Sequence, residues 1–213
     1  MEITGLILAG GRGTRMGNLD KGLVPFEGQP LVSHVVRRLQ PQVQHLLINA
    51  NQNFSSYSAF GLPVCSDVST DFAGPLAGLQ AGLMRCQTAH LMAVPCDAPL
   101  LPLDLVSRLL HGVQTDGADL AVAVTHEGAV VQPHPVFCLL RVHLLEQLNQ
   151  FLNSGGRSML RWFATLRVAQ VPFSDTMAFC NLNTLEELRR YEHRSICEQV
   201  ALASATGGSE KLP

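Results

Sequence analysis

An apolar run from Ile3 to Ala9 breaks abruptly into Gly10-Gly11-Arg12-Gly13, and the next apolar periodic segment begins only at Leu31. The run has the length of a buried strand and falls far short of the ~20 residues that span a bilayer. Glycines let backbone amides approach a ligand with no side chain in the way, and consecutive amides form a cradle for anions. Arg15 and Lys21 add two cations beyond that cradle, and arginine suits bidentate contact with phosphate. The expectation is a polyphosphate-binding loop at the carboxyl end of the first strand. The plainer alternative is a tight strand-to-helix turn carrying solvated arginines.

Two better-known glycine loops do not fit. In the dinucleotide fingerprint a third glycine belongs where Met16 stands, and the next strand closes on Asn49 rather than on an acid that would hold a ribose. The P-loop fails because no Gly-Lys-Ser/Thr follows at the required spacing.

The rest of the chain bounds the answer. Its 213 residues suit one domain over residues 1–203, with a polar, disordered tail over 204–213. A hydrophobic share of 46% and a charged share of 15% are ordinary for an α/β core. The formal net charge of −2 gives no nucleic-acid surface, so any phosphate site is local. Six scattered cysteines form no C-x-x-C pair, and no secretory signal opens the chain. Buried, reduced thiols in a cytoplasmic protein are expected, with no membrane attachment.

Strands and helices alternate. The spacing predicts a helix over 31–39 with His34 and Arg37 on its wetter side, a strand over 45–49, and a polar connection over 52–61. A short strand at 64–65 precedes a helix opened by Gly74-Pro75-Leu76, whose Ala77, Gly78, Ala81 and Gly82 form a small-residue face. A strand over 90–94, a helix over 103–111 and a strand over 120–124 follow. This rhythm implies a single-domain α/β fold: a mostly parallel sheet with helices on both faces, Rossmann-like. Beyond Thr125, Val130-Val131 and Val136–Leu140 read as strands interrupted by Pro133-His134-Pro135, placed antiparallel at the sheet edge. Helices over 142–152 and 158–166 and a strand over 168–171 come next, and Thr184-Leu185-Glu186-Glu187 is a capping box opening the last helix.

Several residues carry possible chemistry. Asp97 closes a central strand, where ligands of open α/β sheets bind, and one carboxylate with phosphate oxygens and waters is a usual Mg²⁺ site. Its bland alternative is a helix N-cap before Pro99. Lys21 and Arg15 would neutralise a triphosphate and the charge growing on a leaving diphosphate. Arg12 suits a solvated rim, and Asp20 suits pairing with Lys21 or capping a turn. Asp67 is a candidate for reading a base, since a carboxylate can accept from guanine's N1–H and exocyclic amine together, whereas Asn49 by itself reads as an ordinary strand-end residue. His134 is a satisfied loop histidine with no acid–base role.

Leu8-Ala9-Gly10-Gly11, Arg15-Met16-Gly17 and Asp20-Lys21-Gly22 together resemble the nucleotidyltransferases that activate small phosphorylated metabolites, and within them the molybdenum cofactor guanylyltransferase family. Asn49-Ala50-Asn51, Asp67, Gly74-Pro75-Leu76-Ala77-Gly78, Pro95-Cys96-Asp97, His134-Pro135 and Asn181-x-Asn183-Thr184 match in order across residues 3–192. Asn18 departs from the second glycine expected after Met16-Gly17. The resemblance implies a nucleotide site built from Leu8, Ala9, Gly10, Gly11, Lys21, Asn49, Asp67, Gly74, Gly78 and Asp97. It makes Asp97 the Mg²⁺ ligand, gives catalysis to Arg15, Lys21 and Asp97, and puts Asn181 and Asn183 on the pterin side.

The implied activity is transfer of GMP from GTP to the terminal phosphate of the molybdenum-pterin cofactor, releasing diphosphate, with further proteins delivering or receiving that cofactor. An ionised phosphate nucleophile needs neither a base nor a covalent protein intermediate. The rival readings are a cytidylyltransferase on the same pterin, a sugar-phosphate nucleotidylyltransferase, and a GTP-binding adaptor that hands the cofactor on. Leu8-Ala9-Gly10-Gly11 favours guanine over the Leu-Ala-Ala-Gly of the first rival. The second lacks its proline–lysine loop ending here, and retention of Arg15 with Asp97 weighs against the third.

Overall fold

The computed structural model describes residues 2–11, 20–68 and 74–180. Arg12, Arg15, Asn18, Asn181, Asn183, the capping box at Thr184 and the tail over 204–213 lie outside the described residues. The element order begins with β1 (Ile3–Leu8), a ribbon of β2 (Pro25–Phe26) and β3 (Gln29–Pro30), α1 (Leu31–Leu39), β4 (His45–Asn49), α2 (Phe54–Ser58) and β5 (Val64–Cys65). It continues through α3 (Pro75–Arg85), β6 (His90–Pro95), α4 (Leu105–Thr115), β7 (Leu120–Glu127), β8 (Val130–Arg141), α5 (Leu145–Asn153), α6 (Met159–Phe163) and β9 (Val168–Pro172).

Seven strands form one sheet in the order β5-β4-β1-β6-β8-β7-β9. The pairs β1–β4, β1–β6, β4–β5 and β7–β9 are parallel, whereas β8 runs antiparallel between β6 and β7. Alternation of side chains along each strand gives two apolar layers. Ile3, Ile7, Ile48 and Val94 face α1 and α4, which contribute Val35, Leu39, Leu105 and Leu109. Leu6, Leu47, Leu91 and Ala93 face α3, α5 and α6, which contribute Leu79, Leu83, Leu148 and Trp162. The fold is the mostly parallel, doubly covered sheet that the alternation predicts.

Four local expectations are corrected. The stretch over 130–141 is one strand in the sheet interior, not two pieces at an edge. Its register jumps from Val122–Cys138 to Ala123–His134, so Pro135, Val136 and Phe137 sit in a bulge. Proline tolerates a bulge because no ladder hydrogen bond is asked of its nitrogen there. The connection over 52–61 contains α2, launched from Asn53 in a left-handed conformation (φ 52°). His34 is buried rather than on the wet face, because the β2–β3 ribbon folds over it. The ribbon turns through Glu27 (φ 49°) and Gly28 (φ 75°), the paired left-handed geometry of a tight hairpin. Finally, Cys65, Cys96 and Cys138 are buried, but Cys180 is exposed.

Burial of histidine makes a testable pH dependence. His34 Nδ1 meets Arg37 at 2.6 Å and Nε2 meets the Phe26 carbonyl at 2.9 Å. Arginine can only donate, so Nδ1 accepts and Nε2 carries the proton. Burial first, then the Arg37 charge, holds His34 below the ordinary 6.5, against the Phe26 carbonyl. Burial also lowers His134, and lowers His90 with help from Arg141 and His143. The unfolded chain therefore takes up protons near pH 6.5 that the native chain refuses, so stability drops as pH falls through 6.5 toward the lower native values. Urea unfolding at about pH 5.5 should give a smaller free energy than at about pH 7.5. Both ring nitrogens of His90 lack a hydrogen-bond partner. His90→Phe should therefore fold and show a shallower dependence while leaving every other group untouched; an unchanged slope would remove His90 from this account.

Candidate active site

The parallel strands β5, β4, β1 and β6 end on one side of the sheet, and the residues that follow them form the site. β1 lies between β4 and β6, so Ala9, Gly10 and Gly11 rise from the middle. The Ala9 amide donates to the Asn49 carbonyl at 2.8 Å, and the Cys96 amide donates to the Leu8 carbonyl at 3.1 Å. These bonds carry the ladder past the strand ends and fix the base of the glycine loop to both neighbours.

On the β4–β5 flank stands an amide–carboxylate network. Asn49 Nδ2 donates to Asp67 Oδ1 at 2.9 Å and to the Cys65 carbonyl at 3.4 Å. Asn51 Nδ2 donates to Asp67 Oδ2 at 2.8 Å and to the Gly10 carbonyl at 3.1 Å. Asn51 Oδ1 in turn accepts from the Asp67 amide at 3.0 Å. Asp67 is thus gripped through both oxygens and tied to the glycine loop. Asn49 is 2% exposed and forms the buried end of the network.

Glycines of α3 make room for this packing. A Cβ on Gly78 would come within 2.4 Å of Leu8 Cδ2 and 2.5 Å of Asn49 Oδ1, closer than any side chain tolerates. The small-residue face therefore lets α3 press against the ends of β1 and β4. Gly74, the residue before α3, has φ 64° and ψ −149°, a region open essentially to glycine alone. With Pro75 at its first turn, the amino end of α3 opens beside the network, where its free amides favour an anion.

On the β6 flank stands a charge pair. Asp97 lies in the turn after β6, and α4 begins only at Leu105, so its plainer reading as a helix N-cap does not hold. Lys21 Nζ lies 3.5 Å from Asp97 Oδ2, with the carboxylate side chain 7% exposed. Burial pushes the Asp97 carboxyl up, and the Lys21 ammonium pulls it back down. Lys21 arrives on a single 3-10 turn over Lys21–Leu23. Among the described residues no three His, Cys, Asp or Glu side chains converge on one point. Burial, with the adjacent Asp97 and Asp20, keeps the Cys96 thiol well above its ordinary range, so it is a protonated packing group rather than a nucleophile.

His134 lies on β8 at the bulge and accepts or donates at Nε2 to Thr125 Oγ1 over 2.8 Å. Its ring stacks on Phe179 with centroids 4.8 Å apart. It is a partnered histidine of the strand ends.

The structure therefore joins Gly10, Asn49, Asp67, Gly74 and Gly78 on one flank and Lys21 with Asp97 on the other. Two side chains escaped sequence reasoning. Asn51 was visible only as part of a matched motif, although its spacing of two from Asn49 hinted at a shared face. Tyr57 gave no local signal, because its partner is Asp20, thirty-seven positions away.

The MobA-like NTP transferase domain model matches residues 5–171. A molybdenum cofactor guanylyltransferase of Cupriavidus necator is 53% identical over 194 residues, covering 91% of this chain and 98% of that protein. One of Bordetella pertussis is 49% identical over 191 residues, covering 90% and 97%. Among solved structures, molybdopterin-guanine dinucleotide biosynthesis protein A of Archaeoglobus fulgidus superposes with a TM-score of 0.74 at 20% identity, covering 92% of this chain and 99% of that one. A CMP:2-keto-3-deoxy-manno-octonic acid synthetase complexed with CTP reaches 0.74 at 14% identity, covering 93% and 100%. At those identities the structures speak for the fold alone.

Proposed function

The chain belongs to the molybdenum cofactor guanylyltransferase family, and from that premise we propose how its two flanks divide the transfer of GMP from GTP to the terminal phosphate of the molybdenum-pterin cofactor. A pterin phosphate oxygen attacks the α-phosphorus of GTP, the bond to the bridging α–β oxygen breaks, and diphosphate departs with that electron pair. The nucleophile is already an anion, so no proton has to move. The work left to the protein is alignment and neutralisation of charge.

The observation that carries the reading is the placement of Gly10 between the Asn49–Asn51–Asp67 network and the Lys21–Asp97 pair. Asp67 is the base reader: each of its oxygens accepts from one asparagine NH2 group, which leaves lone pairs for guanine's N1–H and exocyclic amine. Asn49 acts through Asp67 as a positioning residue. The backbone of Leu8–Gly11 and the amino end of α3 at Gly74 receive the phosphates, and Lys21 and Arg15 supply cationic charge. Asn181 and Asn183 follow directly on Phe179 and Cys180, and we assign them to the pterin side.

A desolvated carboxylate fits Mg²⁺, which usually keeps waters and takes one or two carboxylates with substrate phosphates. Asp97 would hold it, and the ion would offset phosphate charge. Lys21 beside it opposes the upward pull of burial and so favours the ionised carboxylate, the state a cation needs. GTP, Mg²⁺ and the pterin cofactor are thus the small molecules of the reaction.

The test is diphosphate release from GTP, CTP and ATP in the presence of pterin cofactor and Mg²⁺. GTP should be preferred, because a wrong base leaves polar groups of the site unpaired, and Asp67→Ala should erode that preference more than it slows saturating GTP. Equal use of CTP by the unaltered protein would hand the assignment to a cytidylyltransferase. Binding of GTP with no diphosphate released would favour the adaptor.

A further inference from the structure

We propose that Tyr57 is a positioning residue that sets Lys21 against Asp97 by latching Asp20 to α2. This rests on the role given to Lys21 above. Lys21 in the loop over Asp20–Gly22 meets Asp97, which follows β6, yet the loop's anchor comes from α2, which follows β4. Tyr57 is fully buried, and its hydroxyl donates to Asp20 Oδ1 at 2.5 Å. Asn53 Nδ2 donates to Asp20 Oδ2 at 3.0 Å, and Asn53 adopts the left-handed conformation that starts α2. Both carboxylate oxygens are therefore held from a single helical turn. Burial, Cys96 and Asp20 all push the Tyr57 phenol up, so it remains a proton donor, and a donor to a carboxylate makes one of the stronger classes of hydrogen bond.

The same hydroxyl explains the residue after Lys21. A Cβ at Gly22 would lie 2.5 Å from Tyr57 Oη and 3.3 Å from Cys96 Cβ and Sγ. Gly22 is thus wedged between Tyr57 and the residue before Asp97. Asp20 is tied to Tyr57, Gly22 packs between Tyr57 and Cys96, and Lys21 between them faces Asp97 at 3.5 Å. Each member of Asp20-Lys21-Gly22 has its own cause: an anchor, a charge, and a clearance.

The proposal is tested by kinetics on Tyr57→Phe, Asp20→Ala, Lys21→Ala and the double variant Tyr57→Phe with Lys21→Ala, each confirmed folded by circular dichroism. Tyr57→Phe keeps the ring and deletes one hydrogen bond to a charge. It should lower kcat about ten- to a hundredfold with KM for GTP changed less, the scale of a misaligned charged group. Asp20→Ala, which cuts the latch from its more exposed end, should do the same. The double variant should be no slower than Lys21→Ala alone, because the latch acts only through that ammonium; a residue of purely structural importance would multiply the loss. Full activity in Tyr57→Phe, multiplicative losses, or failure of both latch variants to fold would overturn the proposal while leaving Lys21 in its role. Full activity in Lys21→Ala would instead overturn the reading of Lys21 itself, and the latch with it.

Discussion

Asp97→Asn is expected to cut turnover by at least ~10²-fold, the scale of removing one preorganised electrostatic element. The substitution keeps size and packing, so folding should survive. It removes the negative charge that a cation needs and leaves Lys21 Nζ facing a neutral amide over the 3.5 Å that separates the native pair. A carboxyl whose titration is pushed upward on folding is disfavoured in its charged form there, so a neutral amide of the same size should not lower stability. The two readouts therefore move in opposite directions: slower catalysis and a weaker response to Mg²⁺, with an unfolding midpoint that holds or rises. Near-normal turnover at limiting Mg²⁺ would take Asp97 out of the mechanism. A collapse of stability would show that the Lys21–Asp97 pair is structural first.

Asp97 and Asp67 stand on one sheet edge in different surroundings. Asp97 is buried against an ammonium, which opposes the upward pull of burial on its carboxyl. Asp67 is half-buried and gripped by two asparagine amides, neutral donors that fix its direction without cancelling its charge. A carboxylate held by amides suits recognition of a neutral base, whereas one paired with a cation suits metal and phosphate.

Local pattern told part of this and not the rest. Helix α1 spans Leu31–Leu39 and β4 spans His45–Asn49 as the apolar spacing predicts, because both bury one clear face. The strand ends carrying Gly10, Asn49 and Asp97 follow from the alternation of elements, since carboxyl ends of parallel strands must share an edge. Partnership across long separations was invisible. His34 looks wet on a helical wheel and is dry because the β2–β3 ribbon, a turn set by two left-handed residues, covers it. Asp20 looks like a turn cap and is a latch, because a tyrosine inside a five-residue helix reaches it. Pro133 and Pro135 look like strand breakers and both sit inside β8: Pro133 pairs with Val124 in register, and a bulge absorbs Pro135. In each case the deciding group belongs to an element that local periodicity cannot bring near.

Lys21→Ala should be as damaging as loss of Asp97, and it should move the pH profile as well. Deleting the ammonium removes cationic charge from the phosphate site, an effect of about 10²- to 10³-fold on kcat for one preorganised group. It also strips Asp97 of the neighbour that opposes its desolvation. With only burial acting strongly, the Asp97 carboxyl rises further, so a larger share is protonated at any given acidic pH. If ionised Asp97 is required, the acid limb of kcat against pH should shift to higher pH in Lys21→Ala, and raising the pH should recover part, but not all, of the lost rate. Lys21→Arg keeps the charge and should hold the acid limb near its native position while still losing rate through altered reach. The measurement is a set of kcat profiles with saturating GTP, pterin cofactor and Mg²⁺ for the native protein and both variants. A loss of rate with an acid limb that does not move would separate the two residues, leaving Lys21 a phosphate ligand with no hold on the charge of Asp97.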